Sequence, residues 1–200
     1  MGPDPVVEQI FLIRHGETAW SLSGQHTGST DIPLTERGER QARRLGERLG
    51  AIRFEAVLTS PLQRARRTCE LAGLAEGARI ETGLQEWNYG DYEGLTSREI
   101  RAHRPGWDVF RDGCPGGESP GAMQSRIDRL VTELRAMTGN VAVFSHGHCL
   151  RALAVRWIGL PVLNGRNFGL SAGAVSLLGY EHHSPDEPAI ELWNAATEVP

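Results

Sequence analysis

Two short, continuously apolar runs, each ending at a histidine and a glycine, constrain this chain more than any other feature. Ile10-Phe11-Leu12-Ile13 leads into Arg14-His15-Gly16, and Val141-Ala142-Val143-Phe144 leads into Ser145-His146-Gly147-His148. A run without polar alternation reads as a strand covered on both faces, the usual condition of parallel strands whose crossovers lay helices over the sheet. In open sheets of that kind ligands bind in the crevice beyond the carboxyl ends of the strands, so two histidines delivered there can meet in one site. An isolated histidine would more often be a surface or hydrogen-bonded core residue. Arg14 sharpens the reading, because an arginine beside a buried strand needs an anionic partner and its planar fork suits phosphate oxygens.

The remaining elements fit around these two strands. Ala56-Val57-Leu58 and Val175-Ser176-Leu177-Leu178 are further strand candidates, and Ala189 to Trp193 reads as an edge strand. Leu34-Thr35 opens a surface helix with Ala42, Leu45 and Leu49 inward. Ser60-Pro61 reads as an N-cap followed by proline, with Leu62, Ala65, Cys69 and Ala72 as the inward stripe. Thr96 and Glu99 form a capping-box pattern, and Ser119-Pro120 starts a helix with Met123, Ile127, Leu130, Leu134 and Met137 at helical spacing. The Gly- and Pro-rich stretch from Pro105 to Gly121 reads as a loop, a lid or pocket wall. The expectation is an α/β protein, a three-layer α/β/α sandwich with a mostly parallel central sheet, forming one domain over residues 1–200.

A formal charge of -4 gives no global attraction to nucleic acid or to an anionic membrane, so neither is expected as a partner. Three cysteines, Cys69, Cys114 and Cys149, without a C-x-x-C pair suggest neither a disulfide framework nor a zinc knuckle. Residues 1 to 9 lack a basic leader and Ile10 to Ile13 is too short for a membrane span, so a cytoplasmic location is expected.

Leu12-Ile13-Arg14-His15-Gly16-Glu17-Thr18 resembles the signature of the histidine phosphatase superfamily, also called phosphoglycerate mutase-like, and three later segments resemble its other motifs in order. The resemblance covers nearly the whole chain and implies that fold. It makes His15 the nucleophile. Through Thr59-Ser60-Pro61-Leu62-Gln63-Arg64-Ala65 it gives Arg64 a phosphate-binding role. Through Leu84-Gln85-Glu86-Trp87-Asn88-Tyr89-Gly90 it makes Glu86 the proton donor. Through Ser145-His146-Gly147-His148 it makes His146 a second phosphate-binding histidine. Arg14 joins this catalytic set, and Ser21, Thr27, Gly28, Tyr89, Gly147 and His148 are the substrate-binding candidates.

Elementary chemistry agrees. The anionic oxygens of a phosphate monoester repel nucleophiles, and Arg14, Arg64 and His146 can neutralise them without a metal or other cofactor. A neutral imidazole is a competent nucleophile near pH 7, and a carboxyl group beside the departing oxygen assists an alkoxide leaving group. By chemistry alone Glu17, Glu86, Asp91 and Glu93 all remain candidates for that acid. Arg66 reads as solvated and Arg67 is undecided. Trp87, Tyr89 and Tyr92 read as either substrate-stacking or packing residues.

Compared with the glycolytic mutases of the family, this chain has Trp20-Ser21 where Trp-Asn is usual and His148 where asparagine is usual. Its middle is too short for their basic insertion, so hydrolysis is favoured over mutation. Gly24-Gln25-His26-Thr27-Gly28, Glu86 to Gly94 and Arg111-Asp112-Gly113-Cys114 are most similar to the branch of sedoheptulose-bisphosphatase-type enzymes and bacterial acid phosphatases. The insertion of the eukaryotic bisphosphatases is missing between Leu160 and Ala174. The expected partner is a small phosphorylated metabolite, a sugar or glycerate derivative; Arg98, Arg101, Arg104 and Arg111 read either as steering a second anionic group or, for the first three, equally well as a solvated helix face. A homodimer through Ala189 to Trp193 is conceivable. The alternatives are a phosphoglycerate mutase-type phosphotransferase, a non-catalytic phospholigand-binding module, or a metallohydrolase using His146-x-His148 and His182-His183, which Arg14 disfavours by repelling a cation.

Overall fold

The computed structural model describes residues 7–196, so the leader reading at positions 1–6 lies outside the described residues. Strands β1 (Val7–Arg14), β2 (Ala56–Thr59), β3 (Arg79–Ile80), β4 (Gly139–Ser145), β5 (Val175–Tyr180) and β6 (Pro188–Ala195) form one sheet in the order β3-β2-β4-β1-β5-β6. The first four in that order run parallel, and β5 and β6 extend the sheet antiparallel, with β6 at the edge as its sequence indicates.

The unbroken apolar runs are explained by helices on both faces. Ile10 and Leu12 of β1, with Val141 and Val143 of β4, face one core; Phe11, Ile13, Ala142 and Phe144 face the other. The first core is closed by α6 (Pro120–Arg135) and α7 (Gly147–Trp157), the second by α2 (Glu36–Leu49) and α3 (Gln63–Leu71). Shorter helices α1 (Ala19–Ser23), α4 (Ser97–His103) and α5 (Val109–Asp112) lie in the connections.

Local signals account for most helix starts. Thr35 caps α2 through the Gly38 amide, Thr96 and Glu99 make a reciprocal capping box on α4, and Ser119 caps α6 with Pro120 at its first position.

Two expectations are corrected. Helix α3 is capped by Leu62 and not by Ser60, whose hydroxyl is turned instead toward His146. The Pro105–Gly121 stretch is no lid: it contains α5, and Trp107, Val109, Phe110 and Cys114 are buried in the first core. It packs behind the residues at the strand ends, with the Phe110 ring 5.3 Å from that of His148.

Candidate active site

Strand register builds the centre of the site. Arg14 of β1 pairs with Ser145 of β4, and Thr59 of β2 pairs with Phe144, so the residues just past these ends, His15, His146 and Ser60, stand side by side. Backbone bonds continue the ladder, from the His15 amide to the Ser145 carbonyl at 3.0 Å and from the Ser60 amide to the Phe144 carbonyl at 2.9 Å. The two imidazoles lie 5.2 Å apart, about one interstrand spacing.

The tautomers follow from the partners. His15 Nδ1 is 2.7 Å from the Gly16 carbonyl, which only accepts, so Nδ1 carries the proton and Nε2 keeps a free lone pair. His146 Nδ1 accepts from Arg64 Nε at 3.1 Å, so its Nε2 donates to Ser60 Oγ at 2.7 Å. Burial first, then the charges of Arg64 and Arg14, hold His15 well below the usual imidazole range, so it is neutral. The same causes, burial foremost, depress His146.

Arg14 closes one side. It donates from Nη1 to the Leu170 carbonyl at the rim, while its Nε is buried without a hydrogen-bond partner. An unpaired buried donor costs about 1–3 kcal/mol, which an anion in the site would recover.

Glu86 faces the same cavity from a loop anchored by Arg126, which donates to the Gly83 and Gln85 carbonyls and pairs with Glu118 at 2.7 Å. Its carboxylate accepts from the Trp87, His148 and Cys149 amides at 2.9, 3.0 and 2.9 Å, the last two in the first turn of α7. The other carboxylates lie elsewhere. Glu17 bonds Thr35 Oγ1 and pairs with Arg37, Glu93 accepts from the Gly28 and Thr30 amides, and Asp91 is exposed beside Gly116. Of the four candidates only Glu86 lines the cavity.

That cavity, about 170 Å³, is lined by Arg14, His15, Ser21, Thr27, Glu86, Tyr89, Gly147 and His148 among the candidates. Arg64 and His146 are fully buried behind His15, and Gly28 sits behind the wall. The Tyr89 hydroxyl is 2.5 Å from His148 Nδ1; burial pushes Tyr89 well up and His148 well down, so both are neutral. Trp87 is a packing residue, its indole donating to the Glu118 carbonyl and its ring against Phe110. Tyr92 packs on Trp107.

None of the four arginines considered for steering a second anion lines the cavity. Arg101 bonds the Trp107 carbonyl, Arg104 and Arg111 pair with Asp112, and Arg98 does not line the cavity. Arg66 is exposed, and Arg67 pairs with Glu39 and Glu70. The cation overlooked in the sequence is Arg151, four residues after Gly147 on α7 and therefore on the same helix face. It lines the cavity, anchored by Nε to the Gly165 carbonyl at 2.9 Å and lying over the Phe110 ring. His26 also lines the cavity, its ring 4.7 Å from that of Tyr89.

Among the described residues no cluster of three or more His, Cys, Asp or Glu is grouped to hold a metal ion. Burial pushes the Cys149 thiol up to about 11 and those of Cys69 and Cys114 up to about 12, so none supplies a thiolate nucleophile at neutral pH.

Comparison with known proteins bears on the family and the fold. A family model described as histidine phosphatase superfamily (branch 1) matches residues 10–196. Acid phosphatase of Mycobacterium tuberculosis is 41% identical over 178 residues, covering 87% of each chain. Sedoheptulose 1,7-bisphosphatase of Saccharomyces cerevisiae is 33% identical over 249 aligned positions, covering 92% of each. Among solved structures, an open reading frame product of Mycobacterium tuberculosis superposes with a TM-score of 0.89 at 37% identity, covering 96% of this chain and 99% of its own. A mycobacterial glucosyl-3-phosphoglycerate phosphatase gives 0.80 at 28% identity, covering 94% and 99%.

Proposed function

This chain belongs to the histidine phosphatase superfamily (branch 1), and from that membership we propose that it hydrolyses a small phosphate monoester through a phosphohistidine on His15. One observation carries the mechanism: His15 is neutral, with Nδ1 committed to the Gly16 carbonyl, which leaves Nε2 as the free nucleophile. Arg14 and Arg64 offset the phosphoryl charge, the unpartnered Arg14 Nε is a donor available to its oxygens, and neutral His146 contributes through its Nε2–H, turned from Ser60 to the phosphoryl group.

In the first step Nε2 bonds to phosphorus as the ester P–O bond breaks, and the departing oxygen takes a proton from Glu86. In the second, water attacks the phosphorus of phosphohistidine and gives its proton to the Glu86 carboxylate. The P–N bond breaks, releasing phosphate and restoring neutral His15. The acid thus becomes the base, and the proton count closes over one turnover.

For the substrate we favour a phosphorylated sugar or glycerate derivative. The cavity is small, Arg151 offers a second cation to an additional anionic group, and relatives bear the names of a sugar bisphosphatase and a glucosyl-phosphoglycerate phosphatase. The cysteines are free and buried, which fits a cytoplasmic setting. Rapid quenching during turnover of a labelled ester should trap an acid-labile, alkali-stable phosphoryl group on the wild type and none on His15→Ala. Label persisting undiminished in that variant would remove His15 from the role. In a panel ranked by kcat/KM, phosphopeptides turned over fastest would overturn the substrate preference.

A further inference from the structure

Arg64 is fully buried, yet among the described residues no carboxylate forms an ion pair with it. Peptide oxygens hold its guanidinium instead. Nη1 donates to the Thr30 carbonyl and Nη2 to the Thr27 and Gly28 carbonyls, each at 3.0 Å. Glu93 grips the same loop from the other edge, its Oε1 accepting from the Gly28 amide at 2.8 Å and the Thr30 amide at 3.1 Å. Its Oε2 is buried without a partner. The Thr27–Gly28 peptide group is therefore clamped at both ends, its carbonyl on a cation and its amide on an anion. A dipole aligned between opposite charges strengthens both hydrogen bonds and resists rotation.

The loop has little other freedom. The Gly94 amide donates to the His26 carbonyl and the His26 amide to the Leu95 carbonyl, each at 2.9 Å, so residues before the clamp are tied to residues after Glu93. A methyl group at Gly28 would fall 2.6 Å from the Trp87 carbonyl oxygen and 2.7 Å from Glu93 Oε2.

We propose that Glu93 is a positioning residue for phosphoryl binding: through the Thr27–Gly28 peptide it fixes the guanidinium of Arg64 and, through Arg64 Nε, the orientation of His146. This rests on the reading above that Arg64 and His146 engage the phosphoryl group. Glu93 touches neither substrate nor reacting atoms, and acts by keeping the donors aimed before the ligand arrives.

A double-mutant cycle of Glu93→Gln with Arg64→Ala tests it, with vanadate affinity read by calorimetry and Tm followed alongside. Glu93→Gln should weaken vanadate about tenfold in the wild-type background and less than about twofold once Arg64 is alanine, the non-additivity expected of residues acting as one unit. An equal loss in both backgrounds would show that Glu93 acts elsewhere, and no loss in the wild-type background would also overturn the proposal. Arg64→Ala alone leaving vanadate affinity unchanged would instead strike at the phosphoryl-binding reading of Arg64. If Glu93→Gln does not fold, Glu93→Asp, which keeps the charge and shortens its reach, enters the same cycle with the same criteria.

Discussion

Glu86 is anchored by three amide donors on the wall of the cavity that His15 also lines, apart from the buried Arg64 and His146. Such a group should serve the leaving oxygen more than it serves phosphate binding, and two esters separate those tasks. For Glu86→Gln an alkyl phosphate, which releases a strongly basic alkoxide, should lose on the order of 10²-fold in the phosphorylation step. p-Nitrophenyl phosphate, whose anion needs little protonation, should lose far less in the pre-steady-state burst. Equal losses would mean that Glu86 is not the acid. The placement of His15 and His146 at neighbouring strand ends was legible in the sequence because each follows a continuous apolar run, whereas Arg64 was reached only through the family resemblance. Which of four carboxylates faces the cavity was not, because loop packing decides it. Arg151 escaped notice since one arginine among the apolar residues of α7 looks like any helix-surface charge until Phe110 and Gly165 fix it inward.

At the level of elements, hydrophobic runs and caps gave five of the six strands and the starts of α2, α4 and α6 directly, while β3, two exposed residues without an apolar run, left no such signal. Helix α3 was misplaced at its start because Ser60 follows the capping pattern but its hydroxyl serves His146, a partner 86 residues away. Helix α5 was hidden because Gly and Pro punctuate its surroundings while long-range burial of Val109 and Phe110 forms it. The contact of α2 with the His15 loop makes a further test. An added Cβ at Gly38 would lie 2.1 Å from the Glu17 carbonyl oxygen, and one at Gly16 would lie 2.3 Å from that of Gly38. Gly38→Ala should therefore lower both Tm and turnover, although alanine favours helix by about 1 kcal/mol over glycine. Gly121→Ala, at an exposed position of α6 with nothing nearer than 4.0 Å, should raise Tm and leave turnover alone. Calorimetry and a steady-state assay check both; Tm moving the same way in the two would contradict the packing argument.

The molecule holds four histidines around the cavity in neutral form. Burial, joined in each case by neighbouring arginines, depresses His15, His146 and His148 well below 6.5 and brings His26, despite the opposing charge of Glu93, down to about 4. The unfolded chain therefore takes up protons that the folded one refuses once the pH drops below 6.5. This stability is complete above that value and is lost progressively as the pH falls, with His26 contributing over the window from 6.5 to about 4. Tm should decline steadily from pH 7 to pH 5, and a level Tm over that range would contradict the assignment. No helix among the described residues is long and apolar enough to cross a membrane. The adjacency of the strand ends has one more consequence. Because the amides of His15 and Ser60 are bonded to β4 at the centre of the sheet, they should exchange with deuterium only when the whole sheet opens. Their protection would then report global stability, and inactivation on heating would coincide with the loss of the fold.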